Sequence, residues 1–159
     1  MSLIYKNELI RIEIETSEIP WLKIFTNKSI KEFSQCDEKT KLEIWKYLDI
    51  IEKEMLSYFK PDKINIASFG NYVPHVHFHI MARFKEDSYF PEPMWGKKQR
   101  DANLNLPSFK DFYEKLRELQ RAWIELKYLL SSYEKNQTED IREQIYNKSE
   151  NVWKISLET

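Results

Sequence analysis

Three histidines, His75, His77 and His79, occupy alternate positions in the stretch "NYVPHVHFHIMARF" (residues 71–84), and the 159-residue chain has no others. An imidazole whose unperturbed pKa is about 6.5 is partly neutral and partly charged at neutral pH. The same side chain can therefore attack as a nucleophile, bind a metal or neutralise a phosphoryl oxygen. On a strand, alternate residues share one face at a spacing of about 7 Å. The pattern thus predicts a row of imidazoles on one side and Val76, Phe78 and Ile80 directed into a core on the other. Two chemistries compete for such a row. A metal needs at least one further ligand; with no other histidine and Cys36 as the only thiol, that ligand would be a carboxylate such as Glu86 or Asp87. Phosphoryl or nucleotidyl transfer uses the row as it stands, one ring attacking phosphorus while its neighbour offsets the developing charge.

Composition narrows what such a site can serve. With 25 basic and 26 acidic side chains the formal net charge is -1, so there is no global field to gather a nucleic-acid polymer or an anionic membrane. Only two glycines occur, Gly70 and Gly96. A GxGxxG fingerprint and a GxxxxGK[ST] phosphate loop are both excluded, so side chains and a few ordinary amides must hold any phosphate. No apolar run approaches the roughly 20 residues of a membrane span and no signal peptide is recognisable. The expectation is a cytoplasmic protein with no membrane partner. Cys36 reads as a buried or incidental thiol, since nothing near it in sequence resembles a base.

The elements that must position the histidines can be read from hydrophobic period. Residues 9–15, "LIRIEIE", alternate as a strand, and residues 21–27, "WLKIFTN", form a second that pairs antiparallel with it. In the second, Trp21, Lys23 and Phe25 share one face, and Leu22 and Ile24 the other. From Asp37 the period lengthens: Leu42, Trp45, Leu48, Ile51, Met55 and Phe59 predict an amphipathic helix ending at Lys60, before Pro61. "KINIAS" (63–68) is a third strand, Gly70 and Asn71 form a turn, and residues 75–84 are a fourth. A proline-bearing loop follows, then a helix capped by Ser108 and a short helix from Thr138.

The stretch "HVHFHIM" fits each position of the histidine triad motif, His-φ-His-φ-His-φ-φ with φ apolar. Together with "EIPWLKIFTN" and the Pro-x-Pro-x-Trp-Gly segment at residues 91–96, it resembles the small bacterial branch of the histidine triad (HIT) family over about residues 5–105. The helical period beyond residue 107 predicts a C-terminal extension, 108–159, packed on the same domain. The resemblance implies an α+β fold over residues 1–107: an antiparallel sheet of about five strands with a long helix. It implies a homodimer. It implies hydrolysis or transfer at the α-phosphate of a nucleotide or dinucleotide, with no required cofactor and Mg²⁺ arriving only with a polyphosphate substrate. By the same resemblance His77 is the nucleophile that carries a nucleotidyl group. The backbone carbonyl of His75 fixes its tautomer, and His79 contacts the phosphate and assists the leaving group. Asn65, Gly70 and Asn71 would hold the phosphate. The chain departs from the family pattern in lacking a further histidine near the N-terminal strands to support the first triad member, and in carrying Tyr72 where a small hydroxyl residue is common.

Several other residues carry expectations. Arg83 would emerge on the histidine face, as a solvated side chain or a phosphate contact. Trp21, Leu22 and Ile24 would line a nucleobase slot or pack in the core. Tyr89, Phe90 and Trp95 would cover a base, reach across a dimer or pack on the sheet. The alternatives to an enzyme of this type are a nucleotide-binding module acting through its helices, and a metal-dependent hydrolase using the same strand.

Overall fold

The alternating segments assemble into one antiparallel sheet, which the computed structural model describes within residues 3–157. Its strands are β1 (Leu3–Lys6), β2 (Ile10–Ile14), β3 (Trp21–Thr26), β4 (Lys63–Ala67) and β5 (His77–Arg83), in the spatial order β1-β2-β3-β5-β4. The histidine strand therefore lies inside the sheet between β3 and β4, and all seven of its residues are buried. Strand β1, which the sequence pattern did not reveal, is a four-residue edge strand with an irregularity between Leu3 and Tyr5.

Register decides which side chains share a face, because residues directly opposite on antiparallel strands project the same way. Phe25 pairs with His77, Lys23 with His79 and Trp21 with Met81; on the other flank Ala67 pairs with His79 and Asn65 with Met81. One face thus collects Trp21, Lys23, Phe25, Asn65, His77 and His79. The opposite face presents Ile12, Leu22, Ile24, Phe78 and Ile80 to the helix α1 (Glu38–Phe59).

Helix α1 begins where the Asp37 carboxylate accepts the Thr40 amide at 2.8 Å, satisfying one of the free N–H groups of the first turn. It stops at Lys60, whose left-handed backbone (φ 49°) lets its amide bond Leu56 O just before Pro61. Its buried stripe is Ile44, Tyr47, Leu48, Ile51, Met55 and Phe59. Leu42 and Trp45, expected on that stripe, are 61% and 52% exposed. At about 100° per residue Leu42 falls on the far side of the helix from Ile44. The stripe that keeps more apolar groups together faces the sheet.

The third helix is also corrected in length. Beyond Ser108 run α2 (Phe109–Asn136) and α3 (Glu139–Leu157), the latter 19 residues and not short. The chain divides into two compact units, Met1–Phe109 and Lys110–Thr159. Within the second, Leu119, Ala122, Leu126 and Val152 form a core supported by Ile145 and Ile155, and Lys148 pairs with Glu125. Among the described residues no helix is long and apolar enough to cross a membrane.

Candidate active site

His75 lies just before β5, contrary to the expectation that the strand starts there. The chain at this point is held by the Val76 amide on Ile30 O at 2.7 Å and by Thr26 N on Val76 O at 3.2 Å. This placement turns the carbonyl of His75 toward the next histidine: His77 Nδ1 donates to His75 O at 2.7 Å. A carbonyl can only accept, so Nδ1 carries the ring proton, and in the neutral ring Nε2 is left with an available lone pair. Phe25 stacks on the His77 ring, with centroids 4.8 Å apart and planes 16° from parallel. Ser68 Oγ donates to His77 O at 2.8 Å, tying the backbone on the other flank.

His75 is itself oriented. Its Nε2 donates to Thr26 O at 2.8 Å and lies 2.9 Å from Thr26 Oγ1, whose own proton goes to Lys28 O at 2.9 Å. Arg11 Nη1 donates to the same Thr26 carbonyl at 3.0 Å. Thr26, at the end of β3 and buried, thus supports the first histidine in the place where the resemblance leads one to look for another histidine. Sequence reasoning missed it, because a threonine ending a strand carries no distinguishing signal.

His79 sits under an aromatic cover. Trp21 Nε1 donates to His79 Nδ1 at 3.0 Å, and the Trp95 ring lies 4.9 Å from His79 and 5.1 Å from Trp21. Phe69 closes the edge, 4.8 Å from Trp95. Burial, then the neighbouring His77 ring and the Lys23 ammonium, push His79 down to about 4, with Glu15 opposing them. The ring is therefore neutral at neutral pH.

Trp21 belongs to this face; Leu22 and Ile24 do not. Both are fully buried on the opposite face, because one step along a strand reverses the side chain, and they are core residues, not lining of a slot on the histidine face. Arg83 is neither solvated nor free to meet a phosphate. It is 1% exposed and donates from Nε and Nη2 to Asp87 at 2.7 and 3.0 Å, from Nη2 also to Glu92 O at 2.8 Å, and from Nη1 to Asn65 Oδ1 at 3.0 Å. Asn65 lies on the histidine face, with its amide oxygen occupied by Arg83. Burial would raise the Asp87 carboxyl. Arg83 and the amides of Tyr89, Phe90 and Phe84 outweigh that and hold it below the usual carboxylate range.

This buried knot organises the loop that delivers Trp95. Gly96 completes the delivery: its amide bonds Pro93 O at 2.8 Å, and a Cβ there would stand only 3.1 Å from the same oxygen. Gly70 and Asn71 are exposed on the turn before His75, where a Cβ on Gly70 would meet nothing closer than 3.6 Å. Packing alone does not require a glycine there.

Among the described residues no group of three histidine, cysteine or carboxylate side chains is placed to hold a metal ion. The carboxylates weighed as extra ligands are accounted for, Asp87 in the knot and Glu86 exposed on the surface. Cys36 is buried, and burial raises its thiol.

A family model described as the HIT domain matches residues 2–86, more than half of the chain. The chain belongs to the histidine triad (HIT) family. A histidine triad protein from Bradyrhizobium japonicum is 28% identical, with a TM-score of 0.62 covering 74% of this chain and 88% of that one. Proteins of the same description from Sinorhizobium meliloti and Marinobacter aquaeolei are 22% and 21% identical. Their TM-scores are 0.60 and 0.58, covering 73% and 74% of this chain and 87% and 83% of theirs. They share its five-stranded α+β fold. No curated protein matches the chain. HIT membership supports, at a coarse level, a nucleotide hydrolase or transferase.

Proposed function

We propose that this HIT protein cleaves nucleotides at the α-phosphate through a nucleotidyl group carried on His77. The observation that carries the reading is the 2.7 Å hydrogen bond from His77 Nδ1 to His75 O, which presents Nε2 as the nucleophilic nitrogen. Attack by Nε2 forms a P–N bond while the bond from phosphorus to the leaving group breaks. The ring gains positive charge, which the carbonyl of His75 stabilises through Nδ1–H. Water then attacks phosphorus, the P–N bond breaks, and the nucleoside monophosphate leaves with His77 restored. An acceptor other than water makes the same chemistry a transfer. The steps use side chains and water, and a divalent ion enters with a polyphosphate substrate.

The test is AMP release from a diadenosine polyphosphate and from adenosine phosphoramidate, with intact-protein mass spectrometry of quenched samples. Wild type should gain an adenylyl-sized mass and release AMP, and His77→Ala should do neither. AMP release that survives in His77→Ala would sink the assignment.

A further inference from the structure

The hydrogen bond between Trp21 and His79 settles where the third histidine keeps its proton. An indole N–H donates and cannot accept, so His79 Nδ1, 3.0 Å away, is the acceptor and is unprotonated. The ring proton is on Nε2. We propose that Trp21 is a positioning residue that locks His79 as the Nε2–H tautomer, so that this histidine offers the substrate a hydrogen bond but no transferable proton, and the site favours leaving groups that depart as oxyanions, phosphate or sulfate, over amines. This rests on the nucleotidyl-transfer reading above and adds to it the class of leaving group.

The surroundings of His79 agree. On its own strand it faces His77, 4.8 Å between ring centroids. Its partner on β3 is Lys23, whose ammonium is tied to Glu15 at 2.6 Å, and its partner on β4 is Ala67, which brings no charge. Trp21 and Trp95 shield the ring. Glu15, the carboxylate that favours an imidazolium here, is tied to Lys23 and is outweighed by burial, the His77 ring and the Lys23 ammonium, and the depressed protonation described above follows.

Proton accounting then separates the substrates. When His77 attacks an anhydride, the P–O bond breaks and its electron pair leaves on a phosphate or sulfate oxygen, stable as an anion and hydrogen-bonded by His79 Nε2–H. When it attacks a phosphoramidate, the pair leaves on nitrogen, and an amine departs only with a proton. His79, the histidine assigned to the leaving group, has none to give. His77 Nδ1–H is committed to His75 O, His75 Nε2–H to Thr26 O, and His79 is neutral. An amine must bring its proton from water.

The lock is read without substrate, by long-range ¹H–¹⁵N correlation spectra of full-length protein labelled at histidine nitrogen. His79 should show an unprotonated Nδ1 and a protonated Nε2, unchanged from about pH 8 to about pH 5.5, well below where an ordinary imidazole titrates. Trp21→Phe keeps a ring and removes the N–H; its His79 should populate both tautomers and titrate at higher pH. A protonated Nδ1 in wild type, or a tautomer that ignores Trp21→Phe, overturns the lock. Turnover supplies the second arm: adenosine phosphosulfate and diadenosine triphosphate should exceed adenosine phosphoramidate in kcat/KM by about tenfold or more in wild type, and the gap should narrow in Trp21→Phe. Amidate turned over as fast as anhydride overturns the leaving-group preference. If none of the three substrates releases AMP, the nucleotidyl-transfer reading falls and takes that preference with it, while the spectra still decide the lock.

Discussion

Replacing Asp87 with Asn tests whether the buried Arg83 knot holds the aromatic cover over His79. Asp87 is 0% exposed and accepts five hydrogen bonds, from Arg83 Nε and Nη2 and from the amides of Phe84, Tyr89 and Phe90. In Asp87→Asn one oxygen becomes an NH₂ that faces donors, and the Arg83 charge is left uncompensated in the interior. Breaking a buried pair from one side costs about 3–5 kcal/mol, a large share of the roughly 5–15 kcal/mol that stabilises a domain. Urea unfolding followed by circular dichroism gives the cost. Acrylamide quenching of tryptophan fluorescence reports the cover, since Arg83 also grips Glu92 O, three residues before Trp95. Arg83→Met should cost less, because Asp87 keeps its three amide donors. In a double-mutant cycle the two changes should couple by about 1–3 kcal/mol. A cost for Asp87→Asn below about 1 kcal/mol, or a coupling indistinguishable from zero, would refute the reasoning.

Gly96→Ala should loosen the cover while leaving the sheet intact, with quenching of Trp95 increased and a stability loss of about 1–2 kcal/mol, since the new Cβ must displace the Pro93 carbonyl that bonds residue 96. His79, lowered to about 4, makes the fold acid-sensitive: between about pH 6.5 and 4 the unfolded chain takes up a proton that the folded ring refuses, so stability falls as pH drops through that window. The shift caps this at about 3 kcal/mol, and solvent at the ring edge reduces it to about 1–2; unfolding free energies against pH should show the slope in wild type and lose it in His79→Asn. Thr26→Val should cost about 1 kcal/mol and reduce AMP release by less than about tenfold, because it removes the hydroxyl but leaves the carbonyl that orients His75.

What the sequence made legible was whatever repeats with a period. The two-residue alternation of His77 and His79 and of Trp21, Lys23 and Phe25 placed both sets on one face before any register was known, while His75, which the same alternation put on the strand, lies just before it. The change of period from Asp37 and the stop before Pro61 bounded α1. Choosing which apolar stripe of α1 is buried required the sheet, because Leu42 and Trp45 compete with Ile44 and Tyr47 in any reading by letter alone. Arg83 failed for a related reason. Long charged side chains default to the surface, and only the fold shows that Asp87, Asn65 and the Glu92 carbonyl surround this one. Strand β1 has four residues and an irregular register, too little alternation to detect.

The departures from the family pattern are better judged from the structure than from the letters. A missing histidine near the N-terminal strands matters only if nothing else fixes His75. Here Thr26 fixes it through a backbone carbonyl, and such an acceptor demands a particular backbone position more than a particular side chain. That position is set by the Thr26 amide on Val76 O and by Thr26 itself, buried at 1% exposure. The chain of constraint then runs from Thr26 O to His75 Nε2, and from the His75 carbonyl to His77 Nδ1, each link a donor meeting an oxygen that can only accept. The Trp21 link to His79 works in the opposite sense, with a donor that can only donate fixing an acceptor nitrogen. Two of the three rings, His75 and His79, are thus set from β3, by Thr26 at its end and Trp21 at its start, and His77 takes its tautomer from the backbone carbonyl of His75. Register between β3 and β5 is accordingly the property of the fold on which the chemistry depends most directly.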